Sequence, residues 1–197
     1  ELKSDGIRLN LEGNRNLTNL RALAAVPVVE LNLKNTPVSN LAPLAHSPAK
    51  RLILSRTKVT DLSPLKHTRI EHLDLSGTDI EDLGPLEGLP LKTLLLHGCK
   101  RLKDLGPLMG STTIQFLSVP KTAKNIDALE DMPALEYISY TGEKTAAADF
   151  FKDRSGEKVK IKKGIASEKL KNIRQTLMRA NRIRKLNCTL SFDNDGS

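Results

Sequence analysis

Four histidines and two cysteines are the side chains best suited to metal binding, nucleophilic attack or proton transfer in this chain of 197 residues. Their spacing supports none of these. Cys99 and Cys188 form no C-x-x-C pair, so neither a zinc knuckle nor a redox dithiol is indicated. His46 and His67 lie 21 residues apart and could stack, but no third ligand accompanies them. His72 and His97 are too scattered to define a Ser-His-Asp array, and no Asp or His is placed to activate Cys99. No phosphate loop is present. The sequence therefore predicts a non-catalytic protein with no cofactor and no metal site.

The side chains must be placed by a core, and the composition says which kind. Hydrophobic residues make up 39% of the chain, yet aromatics are 3% and Trp is absent. Such a core consists of Leu, Ile and Val, which suits a repetitive aliphatic interior better than a ring-lined pocket. A Leu-x-Leu pair recurs as Leu9/Leu11, Leu31/Leu33, Leu52/Leu54, Leu73/Leu75 and Leu94/Leu96. It continues, weaker, as Leu117/Val119 and Ile138/Tyr140. Successive pairs are 21 to 23 residues apart, which gives seven units between Gly6 and about Gly142.

Each unit has an internal order. Three residues after the Leu pair comes a small polar residue or Cys: Asn14, Thr36, Thr57, Thr78, Cys99 or Thr122. Aliphatic residues follow at intervals of about three, as in Ile80, Leu83 and Leu86. The period of two marks a short strand with one buried face. The later period, with Pro43, Pro64, Pro85 and Pro107, marks a helical or 3-10 turn begun by proline and capped, in the third unit, by Ser63. The small polar row is expected to hydrogen-bond the backbone of neighbouring coils. One coil cannot bury its apolar side alone, so stacking must supply the core.

This register, carried best by Leu73, Leu75, Thr78, Ile80, Leu83, Pro85 and Leu86, resembles the short-repeat bacterial leucine-rich-repeat class, similar to internalins. The resemblance implies an α/β fold: a right-handed solenoid with a parallel sheet on the concave side and short helical or 3-10 segments on the convex side. It also implies binding through the concave side. A looser likeness links the units to repeats fused to receptor-type serine/threonine kinases, although no kinase motif occurs here. Units one and five carry an extra residue and should bulge. Unit six, with Pro120 past its strand, should be irregular.

Strand residues flanking the paired leucines should face solvent. They form three rows: Arg8, Glu30, Arg51, His72, Thr93, Phe116 and Tyr137; Asn10, Asn32, Ile53, Asp74, Leu95, Ser118 and Ser139; Glu12, Lys34, Ser55, Ser76, His97, Pro120 and Thr141. The expected partner surface is Arg51, Ile53, His72, Asp74, Leu95, His97, Phe116 and Tyr137. Leu95, Phe116 and Tyr137 fall in consecutive units and should form an apolar patch, a usual protein contact. The other reading of that patch is that the C-terminal segment folds back over it.

The domain division expected is a solenoid over 1–142 and a basic cap over 143–197. A helix over 145–154 would pack Phe150 and Phe151. A second, from Ser167 to about Arg184, would be followed by a terminal strand. Between Lys152 and Lys185 thirteen Lys or Arg face three acids, more than the whole net charge of +8. The face bearing Lys169, Lys171, Arg174, Arg179 and Arg182 suggests a second function, anion binding to nucleic acid or to acidic lipid or protein. No base-stacking aromatic lies near it, which counts against nucleic acid. No run is apolar enough to span a bilayer. The expectation is a monomeric protein-recognition module; the compartment is not legible, and a secreted, cell-surface or receptor-borne setting would each suit it.

Overall fold

The computed structural model describes residues 6–155. Seven parallel strands form one sheet in chain order: β1 (Ile7–Asn10), β2 (Val28–Asn32), β3 (Arg51–Ile53), β4 (His72–Asp74), β5 (Thr93–Leu95), β6 (Phe116–Ser118) and β7 (Tyr137–Ser139). The register is that of the Leu-x-Leu pairs. Leu9 faces Leu31, then Leu52, Leu73, Leu94, Leu117 and Ile138 follow strand by strand. The second leucines stack behind them, and Leu33, Leu54, Leu75 and Leu96 are fully buried. The ladder continues beyond the strands: Leu33 N–H donates to Ile53 O at 2.8 Å and Leu54 N–H to Asp74 O at 2.7 Å. Because each coil presents leucines to both neighbours, burial of about 1.5–3 kcal/mol per side chain accumulates along the stack rather than within one unit.

Each strand is followed by a return leg with a 3-10 segment: Arg21–Leu23, Ala42–Leu44, Ser63–Leu65, Gly84–Leu86, Gly106–Leu108 and Ile126–Asp131. Proline stands near the start of four of these, as expected. The cap does not come from Ser63, which is itself the first residue of its segment and caps nothing. It comes from the residue two earlier. Asn19, Asn40, Asp61, Asp82 and Asp104 each accept the N–H of the residue that opens the turn, at 2.7–2.9 Å. The reason is geometric: a carboxylate or amide oxygen two residues back closes an Asx turn onto the first donor, which lacks a backbone partner.

The small polar row also differs from expectation. Thr36, Thr57 and Thr78 donate to the carbonyl three residues back in their own coil, at 2.6–2.7 Å, not to a neighbour. Cys99 and Thr122 do reach across as expected, Cys99 donating Sγ–H to Leu75 O at 3.1 Å and Thr122 Oγ1–H to Leu102 O at 3.2 Å. Just before this row the chain turns inward through left-handed residues: Gly13, Asn35, Arg56, Gly77 and Gly98. The extra residues of units one and five are absorbed by an added turn, closed by Leu17 N–H to Asn14 O and Leu102 N–H to Cys99 O. Unit six departs as expected, with a six-residue 3-10 segment entered through left-handed Asn125.

After β7 the chain reverses. Strand β8 (Thr145–Ala146) pairs antiparallel with β7, and α1 (Ala147–Ser155) follows. The helix begins two residues later than expected because Thr145 and Ala146 are taken by the sheet. Phe150 and Phe151 are buried in the core as the sequence suggested, with Phe150 against Tyr140 at 5.1 Å. Among the described residues no helix is long and apolar enough to cross a membrane. The expected helix from Ser167, the terminal strand, and Lys169, Lys171, Arg174, Arg179 and Arg182 lie outside the described residues.

Candidate functional site

The open face of the sheet carries the three rows, but it is not uniformly exposed. Its β1–β2 end is a lattice of charge. Arg8 pairs with Glu30 at 3.4 Å, and Lys34 with Glu12 at 3.0 Å. Asn32 Nδ2 adds a bond to Glu12 Oε2, and together Lys34 and Asn32 hold the Glu12 carboxyl below its ordinary range. Most charge here is thus internally neutralised. Arg51 is exposed and joins none of the ion pairs among the described residues.

Arg51 and Ile53 lie between two shallow hollows. One, of about 260 Å³, is bounded by Arg8, Asn10, Glu30 and Asn32 on its far side. The other, of about 80 Å³, is bounded by His72, Asp74, Thr93 and Leu95. Five of the expected contact residues, Arg51, Ile53, His72, Asp74 and Leu95, therefore line connected ground. His72 titrates below its usual value because it is partly desolvated, with the Arg51 guanidinium on the adjacent strand adding to the effect.

The second row explains itself once the bonds are traced. Asn10, Asn32 and Asp74 each accept the N–H of the residue two further on: Glu12, Lys34 and Ser76. That bond ends the strand cleanly. Ile53 and Leu95 occupy equivalent positions and cannot make it. Two coils therefore forgo a local bond to set a large aliphatic group, half-buried, on the open face.

His97 is held differently from the expectation of a free surface imidazole. Its Nδ1 lies 3.1 Å from Ser76 Oγ and 3.0 Å from Ser118 Oγ. Ser118 Oγ also accepts the N–H of Leu96 and of His97. Two serine hydroxyls from the flanking coils thus lie within hydrogen-bonding reach of Nδ1 and hold the ring between them. The Asp74 carboxylate is turned to the backbone of Ser76, so the cluster is not an acyl-transfer triad. Cys99 is fully buried, and burial pushes its thiol up, away from nucleophilic use. Among the described residues no group of His, Cys, Asp and Glu could hold a metal ion.

Two expectations are corrected here. Ser55, Ser76, Pro120, Ser118 and Ser139 are buried rather than open, since neighbouring coils close over the strand ends. Phe116 is also buried, at 8% exposure, where the row pattern placed it in solvent. The chain returning as β8 sets the Lys144 ammonium over both rings of the patch, 4.9 Å from the Tyr137 centroid and 5.6 Å from that of Phe116. Tyr137 remains half-buried. Lys144 was not visible to sequence reasoning because it lies past the last repeat, where no register assigns it a face.

No protein-family model matches the chain, and no curated protein matches it. Solved structures do. Internalin C2 from Listeria monocytogenes is similar at 26% identity and a TM-score of 0.60, over 66% of this chain and 59% of that one. A second internalin of the same species, inlF, is 21% identical with a TM-score of 0.49, over 67% of this chain and 47% of that one. The chain thus spans less than two thirds of either. Strand, 3-10 return and open parallel sheet together make this an internalin-like leucine-rich-repeat fold.

Proposed function

We propose that this internalin-like solenoid is a recognition module that binds a protein partner through the open, concave face of its sheet. What carries the reading is the replacement of the strand-ending Asn or Asp by Ile53 and Leu95. A residue that abandons a local hydrogen bond and does not enter the core is placed for something outside the chain. Arg51, His72 and Asp74 surround the two aliphatics and supply orientation, and Tyr137 and His97 extend the surface toward β7, where Lys144 lies over the buried Phe116. Among the described residues of the open face, the internal pairing of Arg8, Glu30, Glu12 and Lys34 leaves no continuous positive track for a phosphate backbone, which favours a protein over nucleic acid on this face. One chain supplies the whole face, so a monomer suffices.

The module acts by complementarity alone, with aliphatic anchors desolvated at the centre and charged residues at the rim. The test is affinity capture of a partner on the wild-type chain, compared with Ile53→Asn and Leu95→Asp variants whose melting temperatures match wild type. Loss of the captured protein from both variants supports the reading. Equal capture by all three overturns it.

A further inference from the structure

The end of the open face carries a bound cation that belongs to the chain itself. Lys144 lies over Tyr137 and Phe116, register neighbours on β7 and β6, at distances within the range in which a ring quadrupole attracts an ammonium. Among the described residues no carboxylate forms an ion pair with Lys144, so the rings are the partners that hold its charge. The residue is exposed, and the strand delivering it has two residues and two register pairs with β7. The loop before it is pinned by Gly142, at φ +86°, whose missing Cβ would lie 2.9 Å from His97 Cε1.

We propose that the Phe116–Tyr137 ring pair is a cation-recognising subsite of the open face, occupied in the free protein by Lys144, and that it takes a lysine-type or methylated ammonium group of a partner in its place. The inference rests on the reading of this face as a recognition surface. Lys144 shows that an ammonium fits. Its attachment through a short linker keeps it at high effective concentration, so an incoming cation competes with a tethered one and gains only when its own chain adds contacts elsewhere on the face. The strap thereby screens out isolated cations and admits those borne on a matching surface.

The experiment needs no partner. Tetramethylammonium chloride is titrated into the wild-type chain, Lys144→Ala and Lys144→Ala/Tyr137→Leu, against sodium chloride at equal ionic strength, with proton NMR as readout. Ring-current shielding should move the methyl signal upfield with Lys144→Ala, several-fold less with wild type, and not at all with the double variant. In wild type the Lys144 methylene signals should move toward random-coil positions as the cation displaces them. An absent shift with Lys144→Ala, or equal shifts in all three proteins, overturns the proposal. Far-ultraviolet circular dichroism of each variant establishes that the fold is retained. The titration reads the ring pair alone and the capture experiment reads Ile53 and Leu95, so a failure of this proposal is distinguished from a failure of the recognition reading.

Discussion

At the scale of single residues, backbone conformation and titration give the sharpest tests. Arg56 occupies a left-handed position, φ 56°, that equivalent coils fill with Gly13, Gly77 and Gly98. A side chain there works against the following carbonyl, at roughly 1–2 kcal/mol for an L-residue. Part of that is returned in the greater freedom of glycine in the unfolded chain. Arg56→Gly should therefore raise the melting temperature, with a gain of about 0.5–1 kcal/mol in denaturant titration. The titratable groups divide stability with pH into two windows. Lys92 holds Glu71, and Ser63 holds Asp61, below the ordinary carboxylate values of 4.5 and 3.8. The unfolded chain takes up those protons first, so this stabilisation is complete above about pH 4.5 and is lost as pH falls through the lower folded values. His72 sits below its ordinary 6.5, so the fold resists its protonation and stability begins to fall once pH drops below that value. Unfolding midpoints measured from pH 7.5 to pH 3 should show both steps, and His72→Gln should remove the upper one alone.

At the scale of the coil, the two Asx rows show how much sequence can disclose. The Leu-x-Leu register, the prolines and the return-leg aliphatics were legible because each repeats on every turn and each answers to one physical demand, burial or a fixed φ. The row Asn19, Asn40, Asp61, Asp82 and Asp104 was equally periodic, yet polar residues on an exposed return leg are easily taken for solvated surface. Ser63, adjacent to it, was the more familiar cap. Asp61→Ala should cost about 0.5–2 kcal/mol, the usual penalty for losing a cap, while Ser63→Ala, which removes the side-chain bond to Asp61 but leaves the backbone one, should cost less. The strand-end row supplies the converse test. Ile53→Asn restores the bond made by Asn10 and Asn32, so its thermal stability should equal or exceed wild type while partner capture falls. A destabilised Ile53→Asn would mean that Ile53 serves the core. The covering of Phe116 was one of two outcomes the sequence left open, but the residue that does it was not legible, because Lys144 follows the last repeat and obeys no register.

At the scale of the whole stack, stability should be graded along the chain, because a coil is only as secure as its two neighbours. Leu73 has leucines on both sides, Leu52 and Leu94, and is 1% exposed. Leu9 has one such neighbour among the described strands, Leu31, and is only partly buried, as is Leu11 beside it. Removing methyl groups from a closed site leaves a cavity that rigid flanking coils cannot collapse, whereas a half-open site admits water and relaxes. Leu73→Ala should therefore cost about 3–5 kcal/mol, and Leu9→Ala less than half as much. Amide exchange should follow the same gradient, with Leu54 and Leu75, whose N–H groups donate to the next coil at 2.7 Å and 2.9 Å, protected longer than Leu11. Equal costs for the two substitutions would mean that the first coil is sealed as tightly as the fourth, and that a stack of nearest-neighbour interfaces is the wrong description of how this protein is held together.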